Sequence, residues 1–489
     1  MHFKFVEGTL PSIKTENKST AHRIYALAFG LFLGLAIWKF GNPVILDQKI
    51  SSPNSFSNFL NDAWPTHWAN WIFWPLAIIG VMLAFAKKPD WRWPTTNWLW
   101  LLPLLWFGWQ LLSATQTVDA DLTAATLVQF AGCAMCYSLG VFLFGNFPAR
   151  NFLLVGILVA FTFCLIRATD QKLVEFPQNQ KMLIEGQADN WTNLPAEMFL
   201  ELKREQVIIV TNGVDVANPA VLAKFSKGRV MGTLVYPNAL AGIILLLLPV
   251  SLTLAFSKKL RPAVRTVTIA LALFLGVGGL FWSGSKSGWL IAMGIGGLYL
   301  FRLRWPVKLK MVALVSVAIL GLGIFTVRFH SYFGKGATSV VARFDYWRTA
   351  IQTAEKNPMF GTGPGTFQWP YAKFRNDLAT KNPQTQLPEM ARLAHNDYLE
   401  QFSDSGIPGG IFYTSWIILA LTTIGRRLWK TAGPVSFAIF AGVLGWFIQS
   451  FGEFGLYIPA LAWTAFTLLG CLVGNQFDKK GQIDKMVSK

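Results

Sequence analysis

Twelve apolar runs long enough to approach or cross a bilayer recur along this 489-residue chain, and very few folds can hide that much apolar surface. They cover residues 24–40, 68–86, 98–114, 124–147, 152–168, 237–256, 264–282, 288–301, 311–327, 407–424, 435–451 and 456–473. A spanning helix needs about 20 mostly apolar residues. The run at 288–301 is short and is expected to borrow Ser287 and Arg302. Charged residues make up 14% of the chain and hydrophobic ones 53%, a balance that suits lipid as solvent rather than water. The expected fold is all-α: a polytopic membrane helical bundle of about twelve spans, with two long external segments carrying short helices.

The net charge of +18 does not point to nucleic acid, because the cations sit in short clusters between apolar runs. The N-terminus carries Lys4, Lys14, Lys18 and Arg23. Alternate loops carry Lys87, Lys88 and Arg92; Arg150; Lys258, Lys259, Arg261 and Arg265; Arg302, Arg304, Lys308 and Lys310; and Arg426, Arg427 and Lys430. The C-terminus carries Lys479, Lys480, Lys485 and Lys489. The loops between are poor in cations: residues 116–123 hold Asp119 and Asp121, and residues 452–455 hold only Glu453. By the positive-inside rule both termini are expected in the cytoplasm. The chain then divides into a five-span half (1–168), an external segment (169–236), four central spans (237–327), a second external segment (328–406) and three C-terminal spans with a tail (407–489). The stretch up to Arg23 is polar and a full-length span follows, so no cleavable signal peptide is expected.

Cys133, Cys136, Cys164 and Cys471 all fall inside apolar runs. The C-x-x-C of Cys133 and Cys136 reads as helix packing, since no further Cys or His pair completes a metal site. Lys39 and Arg167 lie at span ends and are expected to snorkel. Trp64, Trp68, Trp71 and Trp74 read as interfacial anchors.

Four features fall in the external segments and turns. Arg229 precedes a span that starts near Pro237 and Asn238, and an Arg beside a helix N-terminus makes an anion site or meets lipid head groups. The turn 283–288, SGSKSG, puts Ser285 and Lys286 where small residues let an anion approach the backbone, or where a lysine simply faces water. Arg343 lies on a helix expected to stop before Pro358, and reads as an anion ligand or a neighbour of Asp345. The glycine-rich GTGPGTF that follows, with Gly363 and Gly365, lacks the flanking strand and helix of a nucleotide loop and reads as a turn. His395 and Asn396 open the stretch HNDYL; a histidine there serves as general base or as a hydrogen-bonded structural residue. The D-x-D of Asp119 and Asp121 reads as a helix cap, supplied by Asp121, rather than a metal pair.

In this order the pieces resemble the O-antigen ligase and O-antigen polymerase superfamily of the bacterial envelope. Arg229 with GTLVYPNALA, then WSGSKSG, then RFDYWRTAIQTAEKNPMFGTGPGTF, then HNDYLEQFSDSG carry the resemblance over about 229–410. Lys286 stands where that family usually has Arg, keeping the charge and losing the bidentate fork. The resemblance implies a metal-independent, inverting glycosyltransferase of the inner membrane that uses no cofactor. The donor would be an undecaprenyl-pyrophosphate-linked glycan, and the acceptor lipid A–core, another glycan or a protein. Arg229, Lys286 and Arg343 would balance the pyrophosphate, and His395 would be the base. Asn238, Ser285, Gly363, Gly365 and Asn396 would contact substrate. A polymerase and a protein O-oligosaccharyltransferase share the donor. A glycan flippase is disfavoured by the lack of midplane charges and inverted repeats.

Overall fold

Every one of the twelve apolar runs carries a helix in the computed structural model, which describes residues 13–86, 97–145, 147–257, 260–303, 305–334, 336–381, 387–431 and 433–487. Lys4, Lys87, Lys88, Arg92, Lys258, Lys259, Arg304 and Lys489 of the charge argument lie outside the described residues. Among the described residues, eight helices are long and apolar enough to cross a membrane. The other runs give shorter apolar helices at Leu102–Ala114, Lys286–Arg302, Pro434–Gln449 and Pro459–Gly474. The short run at 288–301 does take in Ser287 and Arg302. Proline opens several spans, at Pro237, Pro262 and Pro434, where its missing N–H costs nothing and its fixed φ suits a first turn. The chain is an all-α polytopic membrane bundle.

Helices in lipid gain nothing from hiding apolar surface from one another, so close backbone approach does the packing. The first span, Ile13–Lys39, meets the fifth, Phe147–Asp170, this way. A Cβ on Gly30 would lie 2.3 Å from the Leu153 carbonyl oxygen, and one on Gly156 would lie 2.4 Å from the Gly30 carbonyl carbon. Cys133, Cys136, Cys164 and Cys471 are free and buried in the bundle. Both span-end cations find partners within the chain. Lys39 is buried, and its Nζ donates to the carbonyls of Phe59, Leu60 and Asp62 at 2.7–3.0 Å, holding the end of the short helix Phe56–Asn61. Arg167 pairs with Asp170 and with Glu175, the latter at 2.7 Å.

The first long inter-span segment folds as a small unit. The fifth span passes through a π-turn at Gln171–Glu175 into the helix Phe176–Ala188. Then come the helix Ala196–Arg204, a hairpin of β1 (Ile208–Thr211) and β2 (Val214–Ala217), and the helix Pro219–Lys227. Leu183, Trp191, Ile208 and Ala217 form its core. The antiparallel hairpin, register Ile208↔Ala217 to Thr211↔Val214, is absent from the sequence expectation of short helices. Its signal was present: Asn212 and Gly213 both adopt positive φ, the pair of conformations a two-residue hairpin turn demands.

The second segment places the helix Thr338–Lys356 against the start of the tenth span, Asp397–Thr431. The helix stops at Lys356, ahead of Pro358. The glycine turn follows, then the helix Gln368–Lys381. Gly406, at φ +71° inside the tenth helix, marks where its first turns give way to the apolar run.

Candidate active site

Four separate stretches converge at the end of the bundle that carries the two long segments. Gly228 ends the helix Pro219–Lys227 in the left-handed conformation and turns the chain toward the bundle. Arg229 comes next. Its Nε donates to the Ser283 carbonyl at 2.8 Å and its terminal nitrogen to Asn238 Oδ1 at 3.0 Å. Gly284, also left-handed, ends the span Pro262–Ser283. Ser285 caps the next helix by accepting from the Gly288 amide, so Lys286 is a first helical residue rather than a free loop lysine. Its Nζ sits 3.7 Å from the centre of the Tyr332 ring, a cation–π contact.

Arg343 projects from the helix Thr338–Lys356. Its partner is not Asp345 but Glu453, in the turn between the last two spans: nitrogen and Oε1 are 2.6 Å apart. The same oxygen accepts from Asn238 Nδ2 at 2.7 Å. His395 adopts φ +50°, unusual for a residue with a Cβ. Its neighbours hold that conformation. The Ala394 amide donates to Glu400, the Asp397 amide to the Ser450 carbonyl, and Asn396 Oδ1 accepts from the amides of Tyr398 and Leu399. The imidazole stacks on Tyr346 and meets the edge of Phe454, and its Nδ1 faces Glu453 Oε2 at 3.7 Å.

Arg229, Asn238, Lys286, Arg343, His395 and Glu453 all line one open cavity of about 660 Å³. Burial pulls the Arg229 guanidinium below its ordinary value; Glu453 opposes that shift, and Arg343 and Arg328 add to it. An arginine remains charged under such a load. Lys286 feels the same set of charges. This partly desolvated pocket gathers three cations, Arg229, Lys286 and Arg343, among three carboxylates, Asp345, Glu389 and Glu453, and the cations give an anion a place to bind.

The other sequence candidates are taken up by the fold. Ser285 is buried and spends its hydroxyl as a cap, and Asn396 spends its side chain on the first turn of the tenth helix. Gly363 and Gly365 do not line the cavity: their amides donate to the backbone oxygen and to Oδ2 of Asp404. Asp397, Glu400 and Asp404 are fully buried and accept from backbone amides of Leu456, Ala394 and Gly365, so they hold the loops that carry His395 and the glycine turn. The cap at the fourth span is Asp119, accepting from the Leu122 amide, and not Asp121. Among the described residues no three His, Cys, Asp or Glu side chains cluster as a metal site would need. Sequence reasoning missed Glu453 as a site residue; its signal was that it is the one charge in its turn. It also missed Arg328, which lies just past an apolar run.

Residues 271–414 match the model of the O-antigen ligase family. By that match the chain is similar to O-antigen ligases. The ligase-family region contains Lys286, Arg343 and His395, while Arg229, Asn238 and Glu453 reach the same cavity from outside it. The match supports a glycan-transferring membrane enzyme of the ligase or polymerase kind. A relative in Haemophilus influenzae, described as an uncharacterized protein, is 26% identical over 161 residues. That alignment covers 29% of this chain and 38% of the relative's length.

Proposed function

We propose that this chain is an O-antigen ligase-like glycosyltransferase of the bacterial inner membrane, with both termini in the cytoplasm and the cavity open to the periplasm. It moves a glycan from undecaprenyl pyrophosphate to an acceptor hydroxyl of lipid A–core, a glycan or a protein. The observation that carries this reading is the convergence of Arg229, Lys286, Arg343 and His395 on one cavity of about 660 Å³.

The chemistry is a single displacement. The acceptor oxygen attacks the anomeric carbon, the bond from that carbon to the pyrophosphate oxygen breaks, and the configuration inverts. The proton of the acceptor hydroxyl passes to His395. With Nδ1 turned toward the Glu453 carboxylate at 3.7 Å, that nitrogen keeps its hydrogen and Nε2 is the basic one. The contact is long for a hydrogen bond, as catalytic pairs often are before substrate binds. The pyrophosphate departs with its charge balanced by Arg229, Lys286 and Arg343. Glu453 pairs with Arg343, and Asp345 and Glu389 line the same cavity, so the three cations act by direct contact with the pyrophosphate rather than by a net charge of the pocket. Charge stabilisation of this kind takes the place of a metal ion.

Purified protein in detergent, given a lipid-linked glycan and an acceptor in excess EDTA, should transfer the glycan and release undecaprenyl pyrophosphate. Offering lipid A–core, glycan and protein acceptors in parallel identifies the acceptor. No transfer to any of them would overturn the reading.

A further inference from the structure

A second cavity, of about 450 Å³, opens on the same helix as Arg343. Its volume falls within the range of about 300–1,000 Å³ usual for small-molecule sites. None of the four site residues lines it. Trp369 forms one wall, half exposed although it is the largest of side chains. Its indole is not free to turn: Nε1 donates to Asp119 Oδ2 at 2.9 Å. The aspartate that caps the fourth span therefore also fixes the plane of an exposed aromatic ring. Phe374 stands beside it, and Gln352, Asn357, Lys373 and Asp377 supply amide, ammonium and carboxylate groups around the rings.

A held aromatic face ringed by two planar amides, the ammoniums of Lys356 and Lys373 and one carboxylate suits a flat ring with C–H bonds on its faces and hydroxyls at its edge, which is a pyranose. The apolar face of such a ring lies on indole, the amides both donate to and accept from its hydroxyls, the ammoniums donate, and the carboxylate accepts. A phosphate or a lipid tail would leave either the aromatic wall or the polar rim unused. The two cavities also lie along one helix. Asp345 lines the first and Thr349 the second, one turn apart, and the Thr349 hydroxyl donates to the Asp345 carbonyl. From Arg343 to Thr353 the axis advances about 15 Å, so an extended oligosaccharide can occupy both cavities.

We propose that this groove is a saccharide subsite that holds a sugar residue of the glycan distant from the reacting carbon, with Trp369 as its stacking platform. The inference rests on the glycan-transfer reading, and it assigns the D-x-D loop a positioning role: Asp119 orients the tryptophan.

The test reads binding apart from transfer. The probe is the free glycan released by mild acid from the host's lipid-linked pool, which lacks pyrophosphate. Its binding to the detergent-purified full chain is followed by saturation-transfer NMR. Wild type and His395→Ala should bind it equally. Trp369→Ala should bind about tenfold more weakly, equivalent to about 1.4 kcal/mol. Trp369→Phe keeps the ring face and loses only the hydrogen bond to Asp119, and should stay within about threefold of wild type, under 1 kcal/mol. Absence of binding by wild type, an unchanged Trp369→Ala, or a Trp369→Phe that falls as far as Trp369→Ala would each overturn the proposal; the last would make Trp369 a clasp between loop and segment. Glycan binding without any transfer would overturn the ligase reading and leave the saccharide groove standing.

Discussion

Arg343 and Glu453 stand 110 residues apart in sequence and 2.6 Å apart in space. Neither lies in an apolar run, yet their pairing ties the second inter-span segment to the turn between the last two spans. The shared oxygen also receives Asn238, so one carboxylate organises three of the stretches that build the cavity.

Glu453→Gln keeps the size of the side chain and removes its charge. The carboxylate no longer fixes the tautomer of His395, so transfer should fall by about 10²-fold, within the usual range for a general-base contribution. Donor binding should persist, because the cations of the cavity are then less neutralised. Rates with lipid-linked donor and donor retention by the immobilised protein check both halves. A wild-type rate would remove Glu453 from the machinery.

Lys286→Arg should keep much of the activity and Lys286→Ala should lose most of it. Charge is what the pyrophosphate needs here, and a guanidinium can take over the contact with the Tyr332 ring, 3.7 Å from the Lys286 nitrogen. Transfer at matched expression decides. An active Lys286→Ala protein would make the turn an ordinary helix start.

Topology is open to labelling with little background, since all four native cysteines are buried. Asn190→Cys and Thr380→Cys place thiols in the two long segments. Both should react with a membrane-impermeant maleimide added from the periplasmic side. Labelling of either only from the cytoplasm would invert the arrangement.

Close packing of the first and fifth spans predicts an asymmetry between two glycines. Gly156→Val forces a side chain into the Gly30 backbone and should destabilise by about 1–3 kcal/mol, read as a lower melting temperature in detergent. Gly108→Ala meets nothing within 4 Å, and should be neutral or stabilising by up to about 1 kcal/mol. Equal shifts in the two would mean that the small-residue contact does not hold the spans.

The spans were legible because lipid imposes one pattern, length with apolarity, and it survives any tertiary context. The site was legible only in part. Arg229, Lys286 and His395 stood out as ionisable groups beside span ends, and the fold brings them together with Arg343. Glu453 did not stand out, because its role depends on partners 110 and 215 residues away, a distance no local pattern carries. Ser285 and Asn396 looked like ligand contacts because caps and ligand sites favour the same residue types. Gly363 and Gly365 read as a turn, and both adopt positive φ with a backbone within reach of Thr117 or Thr126. Asp119 and Asp121 are nearly equivalent on paper; the helix starts at Ala120, two residues earlier than a cap at Asp121 would place it, and so selects Asp119.

The central claim is that His395 takes the proton from the acceptor. The most direct measurement is single-turnover glycan transfer by His395→Ala, alongside its binding of the lipid-linked donor and its melting temperature. General bases contribute about 10²–10⁴-fold, so transfer should be nearly abolished while donor binding and melting stay at wild-type values. A variant that keeps more than about a tenth of the wild-type rate, above what the loss of a general base allows, would show that another group is the base.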